Sequence, residues 1–419
     1  MLLSRRTTIK LNDDYSNTVG HMCYAAYKLW NVCNYERIHY KELDLPVEYP
    51  DWIYQKKAHK EDLWFKHLPS QTAQEVCKLL DKSWKSYRAL LKSGGVENPR
   101  PPHFKHDNIA ITYMQNGICH NTGSDTVRLT LSRQLKEYMS ANYHIDEKYL
   151  FLKNKIFMDM DVIKQIKIYP PAEGRCDVIV IYEVDDVPIL PDNGRYLSID
   201  LGLHNLMTCY HSESGETFIV GRKYLSLCHY YNKEIARVQS QWSSLQSHKG
   251  IKYPKSSKHI RRLHQAKTKT IQDYLHKITR YIVRYCTENT IHSVIIGDIT
   301  NIRKKKNFGH VTNQKLHSLP YRKIYTLLKY KLAMKGIRLI KQSEKYTSQT
   351  SPLRPAVNKE NALKKNRVRR GLYKDGECSW NADCVGAFNI LRLYLESAGK
   401  QIPLNPMNIS SPYVVKVAV

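Results

Sequence analysis

Met22, Ala25, Ala26, Leu29, Trp30 and Cys33 recur at the three-and-four spacing of an amphipathic helix, with Asp13 and Asp14 ahead of them as candidate caps. From Ser70 a second stripe of Ala73, Val76, Cys77, Leu80, Trp84 and Tyr87 repeats the pattern. Such stripes read as buried faces rather than ligand sites. Before them RRTTIKL predicts a short strand, and after them the turn-rich NPRPPHFK (98–105) breaks the helical run. TVRLTLS, QIKIYPP and DVIVIYEV are rich in β-branched residues and predict strands. The first half is therefore a β-rich body interrupted by a helical insertion, reaching to about residue 190.

PILPDNG (188–194) reads as a linker, and the order of elements changes after it. YLSIDLG, LMTCY and ETFIV predict three short strands, followed by long helices over about 222–289. SVIIG then predicts a strand, 320–336 a helix, GIRLIKQ a strand and NADCVGAFNILRLYL a helix. Three strands followed by alternating helix and strand is the order of an RNase H-like α/β domain. No solenoid-type repeat interrupts it.

Charge changes this picture from fold to partner. The 419 residues carry 66 Lys and Arg against 38 Asp and Glu, a formal net charge of +28, which points to a polyanion. Residues 299–370 alone hold 20 of the cations, with only Glu344 and Glu360 opposing them. NIRKKKN and NALKKNRVRR lack the wide apolar face of a membrane-surface helix, so nucleic acid is the better partner than a lipid surface or a merely solvated face. With 42% hydrophobic residues, the chain is rich enough in apolar side chains for packed cores, and no apolar stretch is long enough to span a bilayer. MLLSRRTTIK places basic residues where a signal peptide has its apolar core, so an intracellular protein is expected. The ten Cys contain no C-x-x-C pair, which argues against a disulfide scaffold and a zinc ribbon and for reduced, buried thiols.

Three acids fall at element ends. Asp200 closes the strand in YLSIDLG, Glu344 follows GIRLIKQ, and Asp383 opens the helix in NADCVGAFN. Metal-dependent phosphodiester cleavage uses such a carboxylate cluster to hold two Mg²⁺ about 4 Å apart. Taken singly, each has a plainer role: a turn residue, an exposed loop charge, and a helix-start acid favoured by the dipole.

Taken together, SIDLGLHNL, VIIGDITNIR, EKYTSQTS and NADCVGAFNILR resemble the RuvC nuclease motifs of the TnpB family, the transposon-encoded RNA-guided DNA endonucleases related to type V CRISPR effectors. The resemblance is strongest over about 196–396, and LPSQTAQEVCKLL and PRPPHFK are similar to family segments upstream. It implies an α+β multidomain protein. A β-barrel wedge domain (1–12 and 97–190) would carry a helical recognition insertion (13–96), and an RNase H-like RuvC nuclease domain (191–419) would follow. Within the latter, a helical insertion would span about 222–289 and a basic lid about 350–380.

Two departures from the commonest family pattern shape the site. The usual second acid at the end of the SVIIG strand is here Gly297, and the adjacent Asp298 points to the opposite face of a strand. A subgroup of the family supplies that carboxylate from a Glu just before YTS, which Glu344 matches. The resemblance thus implies Asp200, Glu344 and Asp383 as catalytic metal ligands, with Asp298 as second choice, holding two Mg²⁺ for which Mn²⁺ can substitute. Second, the interval in which many members carry a zinc ribbon has Cys378 alone, with Cys384 just beyond, and His310 and His317 have no partner pair, so no structural zinc is expected. Arg303, Lys304, Lys305, Lys306, Lys364, Lys365, Arg367, Arg369 and Arg370 are the candidate nucleic-acid contacts.

The expected partners are a guide noncoding RNA, whose pairing reads the target, and double-stranded target DNA bearing a short flanking motif, without a membrane. The expected location is cytoplasmic and nucleoid-associated in a prokaryote. A nuclease-dead RNA-guided repressor, for which Gly297 is a hint, and a small type V CRISPR effector are the alternatives. A self-sufficient transposase ranks last, because nothing supports a tyrosine or serine nucleophile motif.

Overall fold

The computed structural model describes residues 1–300, 309, 319–369 and 371–418, the side chain of Met407 excepted. The chain divides into two compact units, Met1–Asp185 and Asp186–Val419.

In the first unit β1 (Leu2–Lys10) pairs antiparallel with β7 (Arg175–Glu183) over its whole length, in a sheet of order β1-β7-β6-β2 with β6 at Val162–Ile168 and β2 at Ile111–Met114. A second sheet joins β3 (Ile118–His120), β4 (Thr126–Thr130) and β5 (Tyr149–Lys153). Along β7 the period-two pattern holds: Cys176, Val178, Val180 and Tyr182 are buried in one core. Between β1 and β2 run α1 (Asp13–Ile38), α2 (Trp52–Ala58), α3 (Leu63–Lys66) and α4 (Ser70–Ser93), and α5 (Arg133–Tyr143) follows β4.

Both apolar stripes read from the sequence are buried there. The cap of α1, however, is Asn12, whose Oδ1 accepts from Tyr15 N at 2.8 Å. Asp13 and Asp14 occupy the first turn, where they suit the positive end of the helix dipole. Between α1 and α4, Arg37 and Asp81 form a buried ion pair at 3.0 Å, and Arg37 Nε donates to Gln55 of α2 at 2.8 Å. Removing Asp81 would cost about 3–5 kcal/mol by leaving the Arg37 charge uncompensated, whereas Asp81 itself has a second partner in Lys85 at 2.9 Å.

The second unit is built on a six-stranded sheet of order β12-β11-β8-β9-β10-β15. β8 (Tyr196–Asp200), β9 (Met207–His211) and β10 (Thr217–Val220) form an antiparallel meander. β11 (Ser293–Asp298) and β12 (Arg338–Ser343) add to it in parallel, as the RNase H-like order expects. β15 (Tyr413–Val414) extends the far edge. α6 (Tyr224–His248) and α7 (Lys258–Glu288) lie between β10 and β11, α8 (Tyr321–Ala333) precedes β12, and α9 (Ala382–Ser397) follows a hairpin of β13 (Leu372–Asp375) and β14 (Cys378–Asn381).

The sheet separates two cores. Leu197, Ile199, Val294 and Ile296 face Ile278 and Ile282 of α7 and Ile324 and Leu328 of α8. Tyr196 and Ile295 face Val385, Phe388 and Leu391 of α9. This parity decides the direction of every side chain at the strand ends. PILPDNG is bonded into the second unit rather than free: Leu190 N donates to Gly336 O at 2.9 Å, and Asp192 accepts from Tyr196 and Lys400.

Among the described residues no helix is long and apolar enough to cross a membrane. All ten cysteines are free thiols, and all but Cys119 and Cys378 are buried.

Candidate active site

Parallel pairing brings Asp200 and Gly297 to the same edge: Ile199 pairs with Ile296, and the next residue of each strand is its C-terminal neighbour. Gly297 in turn pairs with Gln342 of β12, two residues before Glu344. The carboxyl ends of parallel strands are where α/β folds place ligands.

Parity puts Asp200 on the α9 face with Tyr196 and Ser198. Ser198 Oγ donates to Ala387 O of α9 at 2.7 Å. Immediately before Ala387 on α9, Gly386 lets the strand end approach, since a β-carbon there would lie 2.7 Å from Asp200 Oδ2. Asp383 sits in the first turn of α9, capped by Asn381, whose Oδ1 accepts from Asp383 N at 3.0 Å and Cys384 N at 3.3 Å. Asp383 Oδ2 accepts from Asn205 Nδ2 at 2.8 Å, and Oδ1 lies 3.6 Å from the Arg367 guanidinium.

Glu344 reaches the same place by a different route. The chain turns back directly after β12, with Tyr346 in the left-handed region at φ 64° and Thr347 Oγ1 donating to Glu344 O at 3.0 Å. The side chain then lies over Gly297: a β-carbon on Gly297 would fall 1.8 Å from Glu344 Oε1 and 2.6 Å from its Cδ. Asn389 of α9 fixes the turn, its Nδ2 donating to Thr347 O at 2.8 Å and Thr350 O at 2.7 Å.

Asp298 takes the other face. Its Oδ1 accepts from Thr300 N at 3.0 Å, from the Thr300 hydroxyl and from Tyr321 of α8 at 3.1 Å. Burial pushes its pKa up, but these hydrogen bonds and the Lys341 charge outweigh burial and leave it lowered. It is a strand-end acid engaged through Oδ1 on that far face.

Asp200 and Glu344 behave in the opposite way. Burial, then the charge of Asp383, pushes Asp200 up to about 7, with Arg367 working against the rise. Burial, then the charges of Asp200 and Asp298, pushes Glu344 up to about 9, and its Oε1 is buried without a hydrogen-bond partner. Crowded carboxylates with an orphaned oxygen favour either a proton or a cation between them. The donor set, all hard oxygen, fits Mg²⁺ or Mn²⁺. Among the described residues no three His, Cys, Asp or Glu side chains already converge to metal-ligating distance.

A polar cavity of about 470 Å³ opens beside Asp383, bordered by Asn205, Arg222, Lys223, Ser226, Gly371 and Asn381. Arg222 and Lys223 give it the charge for a phosphodiester backbone. Asn205, whose Oδ1 is buried and unpartnered, was not identified from the sequence although it lies within SIDLGLHNL. Its only signal there was a polar residue among apolar ones. Gly386 was likewise unremarked within NADCVGAFN.

The 350–380 segment is more structured than a basic lid. β13 and β14 pair across Gly376 and Glu377, Tyr373 is fully buried, and its hydroxyl donates to Gln349 O at 3.0 Å. The Asp-Gly step, with Gly376 at φ 58°, was the available hairpin signal. Lys364, Lys365, Arg367 and Arg369 are exposed on this segment. Arg303, Lys304, Lys305, Lys306 and Arg370, with His310 and His317, lie outside the described residues. Cys378 is exposed on β14 and Cys384 is buried in α9.

Residues 179–303 match the family OrfB_IS605, probable transposase, and residues 321–390 match the Cas12f1-like TNB domain. No curated protein matches the chain. Among solved structures it is similar to a Cas12f1–sgRNA–target DNA complex at 15% identity, covering 93% of this chain and 98% of that one, with a TM-score of 0.37. A CRISPR-Cas12f ternary complex aligns at 14% identity, over 95% and 82% of the two chains, with a TM-score of 0.39. The RuvC of Thermus thermophilus aligns at 11% identity over 50% of this chain and 99% of its own, with a TM-score of 0.24.

Proposed function

We propose that this chain is a TnpB-family protein and that it is an RNA-guided, metal-dependent DNA endonuclease of a transposable element. The observation that carries the reading is Glu344 seated over Gly297. The carboxylate missing from β11 is replaced in space by one from the turn after β12, on the face shared with Asp200 and Asp383. A scaffold kept only for binding has no need for that replacement, which disfavours the nuclease-dead repressor.

In this reading Asp200, Glu344 and Asp383 are the metal ligands and Asp298 is not. Divalent cations, when bound, would supply an activated water and charge neutralisation at the leaving oxygen. The chain's own residues prepare the place. Asn205 orients Asp383, Asn389 fixes the turn that presents Glu344, and Gly386 and Gly297 leave room for the two carboxylates beside them. Arg222 and Lys223 hold the strand backbone alongside, and the exposed cations of 364–369 carry further phosphate contacts.

The partners are a guide RNA, whose pairing selects the sequence, and a double-stranded DNA target next to a short flanking motif. Residues 1–12 and 97–190 act as the wedge domain and 13–96 as the recognition insertion. The test is to sequence RNA that copurifies with the protein and challenge the complex with DNA matching its guide region. Cleavage in Mg²⁺ but not in chelator is expected. A complex that binds the matched target and never cuts it in Mg²⁺ or Mn²⁺ sinks the endonuclease and leaves the repressor.

A further inference from the structure

Many aromatic side chains among the described residues are in the cores, but one group in the first unit is turned towards an opening. A cavity of about 580 Å³ lies between α1, α3 and α5, within the roughly 300–1,000 Å³ of small-molecule sites. His21, Tyr24, Trp64, His67, Tyr138 and Tyr143 place six rings around it. His21 stacks on Tyr138 with centroids 4.4 Å apart, and His67 lies 4.9 Å from the same ring. Trp64 stands edge-on to Tyr24 at 5.5 Å. Tyr143 remains 47% exposed, which a ring serving only as core would not be.

The polar groups narrow the ligand class. His21 Nε2 and His67 Nδ1 share a hydrogen bond of 2.9 Å, which requires one donor and one acceptor. Burial, then the neighbouring His67, pushes His21 down to about 4, and burial lowers His67 as well, so the imidazole pair is neutral at physiological pH. A neutral cavity does not select a phosphate or a carboxylate. Its rings offer faces to a flat heterocycle, and Asn17 and Ser16 on the same wall offer hydrogen bonds to its edge. A cation stands outside: Lys28 Nζ is 5.2 Å from the Tyr24 ring centroid, on the helix that forms one wall. A flat polar ring inside with an anion at the rim describes a nucleotide within a strand.

We infer that this cavity of the first unit receives one unpaired nucleobase of a bound nucleic-acid strand, stacked on Tyr138 and flanked by Tyr143, with its phosphate towards Lys28. The inference rests on the nucleic-acid-binding reading above but not on cleavage.

The test uses the full chain and single-stranded oligonucleotides carrying 2-aminopurine at successive positions, whose fluorescence is quenched by stacking. Wild-type protein should quench the probe at one position. Tyr138→Ala should abolish that quenching and weaken binding about 5- to 150-fold, the effect of losing one base–aromatic stack, while Tyr138→Phe retains both. Tyr143→Ala, at the exposed rim, should reduce quenching without unfolding and decides the matter if Tyr138→Ala does not fold. Unchanged quenching in folded Tyr138→Ala and Tyr143→Ala overturns the cavity. Salt-sensitive binding with no quenching at any position overturns it while sparing the nucleic-acid reading. No binding at all overturns both.

Discussion

A β-carbon on Gly297 would fall 1.8 Å from Glu344 Oε1, so Gly297 can be nothing but glycine while Glu344 keeps its place. Glycine inside a strand often marks the close approach of another group, and here the group is a carboxylate. The relationship can be exchanged. Glu344→Ala should remove cleavage, and Gly297→Glu in that background should restore about 2- to 150-fold of it, the coupling range for residues in contact. Gly297→Glu alone should be inactive, because two side chains then claim one space. Cleavage assays on the three variants check this, and a double variant no better than Glu344→Ala would refute it.

Asp200→Ala and Asp383→Ala should each reduce cleavage by more than the roughly 10–100-fold that loss of a supporting partner costs, and Asn205→Ala should fall within that range. RNA and target binding should persist in all three. Asp298→Asn should cut nearly as wild type, since its carboxylate is occupied by Thr300 and Tyr321 on the far face. Equal losses at Asp298 and Asp200 would overturn the assignment by face.

The crowded acids give a pH signature. Glu344 and Asp200, held up to about 9 and about 7, bind more protons folded than unfolded. Their contribution to stability is therefore most favourable below the ordinary carboxylate range and is lost as pH rises through the raised values. A cation needs the charged forms and reverses this loss. The increase in melting temperature on adding Mg²⁺ should be larger at about pH 8.5 than at about pH 6. Thermal melts with and without Mg²⁺ measure it, and a larger increase at the lower pH contradicts the mechanism.

The charge of +28 should make RNA and DNA binding steeply salt-dependent. Six or more phosphate contacts imply about a 10³-fold loss of affinity between roughly 50 and 200 mM salt. Alanine at Lys364, Lys365, Arg367 and Arg369 together should flatten the log–log slope by about 0.7–0.9 per contact removed. A slope near zero in the wild type would reassign these cations to a solvated surface.

The mixed α/β architecture was legible because its signals are periodic. The strands in YLSIDLG and SVIIG are buried on both faces and read as short, mostly apolar runs, and the stripes of α1 and α4 repeat every third or fourth residue. Strand parity alone placed Asp298 opposite Gly297. Less legible were features set by one contact across a long stretch of chain. β15 has two exposed residues and no pattern, Asn205 acts through one hydrogen bond to Asp383, and Asn12 competes as a cap with two neighbouring acids. The hairpin of β13 and β14 was legible in principle from its Asp-Gly step, but the surrounding basic run obscured it.

Asn389 ties the turn bearing Glu344 to the helix bearing Asp383, and that helix docks on the strand bearing Asp200. α9, a late element of the chain, thus carries Asp383 and bonds both the turn of Glu344 and the strand of Asp200. At about 5–20 residues per second, synthesis takes roughly 10–40 s to pass from Asp200 to Asp383. Through that interval the chain has Asp200, and later Glu344, without Asp383 or the helix that carries it. The first unit, Met1–Asp185, is complete before the carboxylate set exists. The arrangement of the three acids therefore arrives last, with the docking of a single helix.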